Sequence, residues 1–182
     1  MNTIYIYRYI FIDIYDQMTS DSRFLIIKHL LEFKANINNQ DEYGQSILHI
    51  AATNADLDIT KLLISTKADV NIQNNGGLTP AHYALHMSKI IESINSLSET
   101  IIASDGSVYN INTPDSNGLT PLHIAITKSS YAFEMVEFLL NKNACVNTRT
   151  PDGLTPLDIA KKSQSQTIIK LLITAKANVQ IC

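Results

Sequence analysis

The sequence predicts an all-α solenoid of about five helix-turn-helix repeats with β-turn or hairpin loops, and three observations carry that prediction. A short phrase returns four times: Gly44-Gln45-Ser46-Ile47-Leu48-His49, Gly77-Leu78-Thr79-Pro80-Ala81-His82, Gly118-Leu119-Thr120-Pro121-Leu122-His123 and Gly153-Leu154-Thr155-Pro156-Leu157-Asp158. Its glycines stand 33, 41 and 35 residues apart. A second phrase keeps step, at Ile37-Asn38, Val70-Asn71, Ile111-Asn112, Val146-Asn147 and Val179-Gln180, spaced 33, 41, 35 and 33. Between the two phrases apolar residues recur at helical spacing, as in Ile59, Leu62, Leu63 and Ile64, the stripe of a helix packed on one face.

Residues 1–12 form an apolar N-terminal extension rich in Ile and Tyr. The apolar run from Ile4 to Ile14 is broken by Arg8 and Asp13 and has neither a basic leader nor a small-residue cleavage site, so it reads poorly as a signal peptide. It is expected to extend the first helix or to fold over the end of the stack. A mis-chosen start or a truncated larger protein stays open beside that. Residues 13–40 form the first unit, found by moving the second back 33 residues. Ile26 to Leu31 then falls on Ile59 to Ile64, and the first helix would cover Asp13 to Ser20.

Residues 41–73 show a whole unit. Asp41-Glu42-Tyr43-Gly44 has an acceptor at the first turn position and glycine at the fourth, a β-turn signature. Ser46 supplies an N-cap oxygen, as Thr79, Thr120 and Thr155 do in later units, each followed by a proline (Pro80, Pro121, Pro156) where a helix has no use for an N–H. Leu48 to Ala52 make a short first helix, Ile59 to Ile64 the second, and Ala68-Asp69-Val70-Asn71 the return loop.

Residues 74–114 are eight longer than the 33-residue unit, and the excess falls in Met87 to Tyr109. Ile90, Ile91, Ile94, Leu97, Ile101 and Ile102 hold a helical period, so an extended second helix is expected before a turn at Asp105-Gly106-Ser107. Such an insertion either projects toward a partner or is neutral drift in a surface loop. Residues 115–149 carry a two-residue excess near Ser129-Ser130-Tyr131. In residues 150–182, Asp158 replaces the histidine and Lys161-Lys162 bring charge to positions that would otherwise pack on a neighbour, as expected of a unit that closes a stack.

With 45% hydrophobic and 17% charged residues the chain can bury a continuous core. A net charge of −3 without a basic stripe argues against nucleic acid. Two cysteines without a spacing pattern, Cys145 and Cys182, argue for a reducing compartment and against a disulfide framework. No stretch approaches the roughly 20 apolar residues of a membrane span. A cytoplasmic protein is expected, with export into a host cell left open.

These motifs resemble the ankyrin-repeat family, whose Thr-Pro-Leu-His-x-Ala phrase stands complete at Thr120 to Ala125, with one change at Thr79 to Ala84 and with Ser46-Ile47 replacing Thr-Pro in the second unit. The resemblance covers residues 13 to 181. It implies that residues 13–40 and 150–182 are capping repeats and that His49, His82 and His123 bridge neighbouring loops. It also implies a glycine after each second helix, where this chain has Lys34, Lys67, Asn143 and Lys176, so each of these would adopt a left-handed conformation at about 1 kcal/mol.

Nothing argues for catalysis, a cofactor or a metal. The three histidines recur one repeat apart, about 8–10 Å, and a zinc ion needs its ligands about 2 Å away. No nucleophile, phosphate-loop or metalloprotease phrase is present. Asn38, Asn71, Asn112 and Asn147 are loop-bonding residues in the simplest view; the family's hydroxylation at this position makes them modification candidates.

The family's concave face, lined by turn tips and first helices, would bind an unidentified partner protein. Its positions here are Gln40, Glu42, Tyr43, Thr53, Gln73, Asn75, His86, Ser116, Asn117, Thr127, Arg149 and Asp152, with Tyr43 and Arg149 the anchor types. The expected function is a non-enzymatic interaction scaffold. The alternatives are a repeat fragment of a larger protein or a drifting gene product without a dedicated partner. A monomer is expected, with self-association through residues 1–12 left open. The heavy use of Ile and Asn (26 and 16 residues) points to an AT-rich genome, such as an intracellular bacterium or large virus, and so to a host-directed effector as one form of the scaffold.

Overall fold

A computed structural model describes residues 17–54, 56–86, 110–128 and 132–178. The N-terminal extension, most of the first unit's first helix, the lengthened part of the third unit, the Ser129-Ser130-Tyr131 excess and Val179 to Cys182 lie outside the described residues, as does the His86 side chain.

Eight helices run through the described residues: α1 (Ser20–Glu32), α2 (Ile47–Asn54), α3 (Leu57–Ser65), α4 (Pro80–His86), α5 (Pro121–Lys128), α6 (Ala132–Asn141), α7 (Pro156–Lys162) and α8 (Gln166–Asn178). The short helices α2, α4, α5 and α7 pack on one another in succession as an inner layer. In the outer layer α1 packs on α3 and α6 on α8, and the pairs α2–α3, α5–α6 and α7–α8 join the layers. Ala51, Ala52, Ala125 and Ala160, all buried, are the small residues that let inner helices approach. Ile59, Leu63, Met135, Val136, Leu139, Ile168 and Leu172 fill the space between layers. This is an all-α solenoid.

Outer helices end where the backbone turns left-handed, at Lys34 (φ 56°), Lys67 (φ 69°) and Asn143 (φ 62°). The following N–H reaches back five residues in each case: Ala35 to Leu30 O (3.0 Å), Ala68 to Leu63 O (2.9 Å) and Ala144 to Leu139 O (2.9 Å). That is the Schellman closure, made here without glycine.

Three expectations need correction. Lys176 is not left-handed, because α8 continues through it to Asn178, and Lys and Ala are good helix formers where nothing draws the chain out. The left-handed residue of the last unit is Gln164 (φ 56°), between α7 and α8. Ser20 opens α1, with Thr19 as its N-cap accepting from the Ser22 N–H, and does not close a preceding helix. Finally, Cys145 is disulfide-bonded, against the expectation of two free thiols.

Candidate functional site

Each inner helix is entered through a hairpin whose first residue folds its side chain back on the turn. Asp41 Oδ1 accepts from the Tyr43 and Gln45 N–H groups (2.9 and 2.7 Å), Asn74 Oδ1 from Gly76 and Leu78 (2.8 and 2.9 Å), and Asp115 Oδ1 from Asn117 and Leu119 (2.9 and 2.8 Å). Thr150 does the same more weakly, accepting from Leu154 at 3.2 Å. The fourth residue is a left-handed glycine in every case, Gly44, Gly77, Gly118 and Gly153.

The hairpins are then laced to one another. The Asn75 N–H donates to Tyr43 O (3.0 Å) and its side chain to Glu42 O (2.9 Å), while the Ser116 N–H donates to Gly76 O (2.9 Å). Gln40 Nε2 lies 2.5 Å from Gly44 O and 2.8 Å from Gln73 O; Gln73 Nε2 repeats this on Gly77 O and Pro114 O (2.8 and 3.1 Å). On the loop side, Asn38, Asn71 and Asn112 Oδ1 accept from the N–H groups of Asp69, Asn110 and Cys145 in the next unit (2.8, 3.0 and 2.7 Å).

The buried histidines couple cap to neighbour. His49 Nδ1 accepts from the Ser46 N–H (3.0 Å) and lies 2.9 Å from Ser46 Oγ. That leaves the proton on Nε2, which donates to Leu78 O of the next hairpin at 2.9 Å. His82 and His123 take the Thr79 and Thr120 N–H groups at 3.1 Å in the same way. The hydroxyls of Ser46, Thr79 and Thr120 thus point to an imidazole, a partner the N-cap expectation did not include. The His123 Nε2 atom makes no hydrogen bond of normal geometry, although the backbone of Thr148 and Leu154 still acts on it. The Tyr83 ring packs edge-on to His49 at 5.3 Å, and its hydroxyl accepts from Asn74 Nδ2 (2.9 Å).

Burial pushes the His49 and His123 pKa values below the ordinary 6.5, against the smaller opposing effects of backbone carbonyls and of Asp41 and Asp115. Because the unfolded chain binds the proton more readily, this contribution to stability is complete above pH 6.5 and is lost as pH falls toward the depressed folded values. Asp158 behaves differently. Its Oδ2 accepts from the Thr155 N–H (3.0 Å) and hydroxyl (2.7 Å), and its own N–H returns to Thr155 Oγ1 (3.2 Å), a reciprocal capping box. These bonds hold its pKa below the ordinary 3.8, so what it contributes persists until the pH falls below that value.

The lacing determines how the expected partner-binding residues stand. Tyr43 has both backbone groups engaged, yet the residue is 59% exposed. Glu42, Asn117, Arg149 and Asp152 are exposed at other hairpin positions, Arg149 bonding Gly153 O through Nη1 at 2.7 Å. Gln40, Gln73, Asn75 and Ser116 are also exposed, and their bonds tie hairpin to hairpin. Thr53 and Thr127 donate their hydroxyls to carbonyls of their own helices, His49 O for Thr53 and His123 O and Ile124 O for Thr127. Sequence reasoning missed the bridging role of Gln40 and Gln73; their spacing of one 33-residue unit was the available signal.

Among the described residues no group of three or more His, Cys, Asp or Glu side chains is placed to hold a metal ion, and no helix is long and apolar enough to cross a membrane.

A family model for ankyrin repeats (3 copies) matches residues 18–106 and 95–181. The chain is 34% identical over 157 residues to Rabankyrin-5 of Mus musculus, covering 84% of this chain and 13% of that protein. It is 32% identical over 141 residues to the tyrosine-protein kinase Shark of Drosophila melanogaster, covering 78% of this chain and 14% of the kinase. With the putative ankyrin repeat protein YahD of Escherichia coli (strain K12) it shares 30% identity over 161 residues, 85% of this chain and 75% of YahD. The chain therefore spans only a small part of the first two relatives and most of the third.

Proposed function

The chain belongs to the ankyrin-repeat family, and from that premise we propose that it is a non-enzymatic scaffold binding a partner protein through the concave face of its hairpins and inner helices. Ankyrin repeats generally mediate protein–protein interaction. The observation that carries the proposal is Tyr43. Its carbonyl accepts from Asn75 and its N–H donates to Asp41, so the ring stands exposed on backbone that is already ordered. An aromatic side chain held this way gives contact area with little ordering cost on binding. Arg149, Glu42 and Asp152 add exposed charge of both signs on the hairpins, which favours a polar partner surface. A host-directed role is one form of this proposal, supported by the Ile and Asn usage.

The test is affinity capture with the full chain from candidate host and source lysates. The affinity of any captured partner is then measured for the wild type and for Tyr43→Ala/Arg149→Ala, with the unfolding midpoint as a control. A loss of at least about tenfold is expected if two anchors are removed. Unchanged affinity moves the site away from the hairpins, toward the long third unit. A second proposal, a repeat segment acting within a larger polypeptide, draws on Rabankyrin-5 and Shark, where the matched repeats are a minor share of the protein.

A further inference from the structure

The seam between the first and second units contains an unusual helix start. Asp56 stands at the N-cap of α3, a position for which aspartate is among the preferred residues, yet its side chain makes no cap hydrogen bond. Both of its oxygens are engaged by α1: Arg23 Nη1 donates to Oδ2 at 2.8 Å and Ser20 Oγ to Oδ1 at 3.4 Å. The ion pair is largely shielded, with the two side chains 13% and 12% exposed. Arg23 and Asp56 are 33 residues apart and so occupy equivalent places in successive units. By contrast, Thr19 and Thr155 use their side chains to cap α1 and α7. Of the other described helices, α1 packs chiefly on α3, and a cleft of about 700 Å³ lies at that seam, lined by Ser20, Phe24, Asp56, Leu57 and Leu62 among others.

We infer that Asp56 is a two-position latch: paired with Arg23 while α1 is docked, and turned onto the first turn of α3 when α1 lets go. One carboxylate serves two mutually exclusive partners, so opening the seam replaces the ion pair with a cap. That exchange lowers the free energy of opening and makes α1 a detachable element on an otherwise laced stack. The bonds that would still hold the first unit, Asn38 to Asp69 and Gln40 to Gln73, lie in the loop and hairpin beyond α1 and need not break.

Amide hydrogen exchange on the full chain tests this. Arg23→Gln should speed exchange along α1 by roughly fivefold, the scale of losing a partly buried ion pair. The same variant should slow exchange at the Asp58 and Ile59 amides, which gain the Asp56 carboxylate as acceptor. Asp56→Asn keeps a capping oxygen without the charge and should give the same pattern, whereas Asp56→Ala should speed α1 and give no slowing at Asp58 or Ile59. Raising NaCl to about 0.5 M should change the wild type little, because a pair this shielded is only weakly screened. Exchange along α1 equal to wild type in Arg23→Gln would overturn the latch. So would faster α1 exchange with no gain of protection at Asp58 and Ile59, since the ion pair would then be a simple clamp.

Discussion

In the second unit His49 takes the Ser46 N–H on one side of its ring and donates to Leu78 O of the next hairpin from the other, whereas in the last unit Asp158 takes the Thr155 N–H and hydroxyl and turns its own N–H back to the same residue. Both side chains close a helix start. Imidazole has a second polar atom on its far edge, and the carboxylate has no donor to send across. The glycines show the same contrast. A Cβ on Gly77 would lie 2.4 Å from the Ser116 N of the following hairpin, while one on Gly153 would meet nothing within 4 Å. The Gly77 copy of the phrase thus answers to two units, while the Gly153 copy meets no neighbouring hairpin among the described residues.

Substituting those glycines gives the largest expected effect. Both are left-handed (φ 72° and 78°), so alanine costs each about 1–2 kcal/mol in backbone strain. Gly77→Ala must also displace the next hairpin and its Ser116-to-Gly76 bond, adding about 1–2 kcal/mol. Urea unfolding should show Gly77→Ala losing about twice as much as Gly153→Ala, and equal losses would remove the distinction between laced and free hairpins.

A smaller effect, of opposite sign, is expected at the helix ends. Lys67→Gly relieves a left-handed lysine (φ 69°) and should raise stability by about 1 kcal/mol, less what the cation contributes at the helix C-terminus. Asn143→Gly should gain less, because asparagine tolerates that conformation better. A lower midpoint for Lys67→Gly would mean that the lysine side chain contributes more than its backbone strain costs.

The fold was legible because the phrase is local chemistry: an Asx turn, a left-handed glycine, a Thr-Pro helix start and a helical stripe each lie within a few residues. What escaped depends on partners a whole unit away. Gln40 resembles any surface glutamine until Gln73 O is placed beside it, and Asp56 resembles an ordinary N-cap until Arg23 claims it. Lys176 was misjudged because the register continues there while the helix does, too. At the candidate face, sequence marks which residues are non-repeating, such as Tyr43. It does not show that Gln40, Gln73 and Asn75 have their polar groups committed to neighbouring hairpins.

The central claim, that one buried histidine closes its own helix and couples to the next unit, is tested most directly by nitrogen-15 NMR of the His49 ring across a pH titration. A neutral ring is expected, with the proton on Nε2 and Nδ1 bare at pH 7, titrating below the ordinary 6.5 because burial opposes the charge. Unfolding free energy should fall over the same interval below pH 6.5. A ring protonated on Nδ1, or one titrating at 6.5 or above, would contradict it.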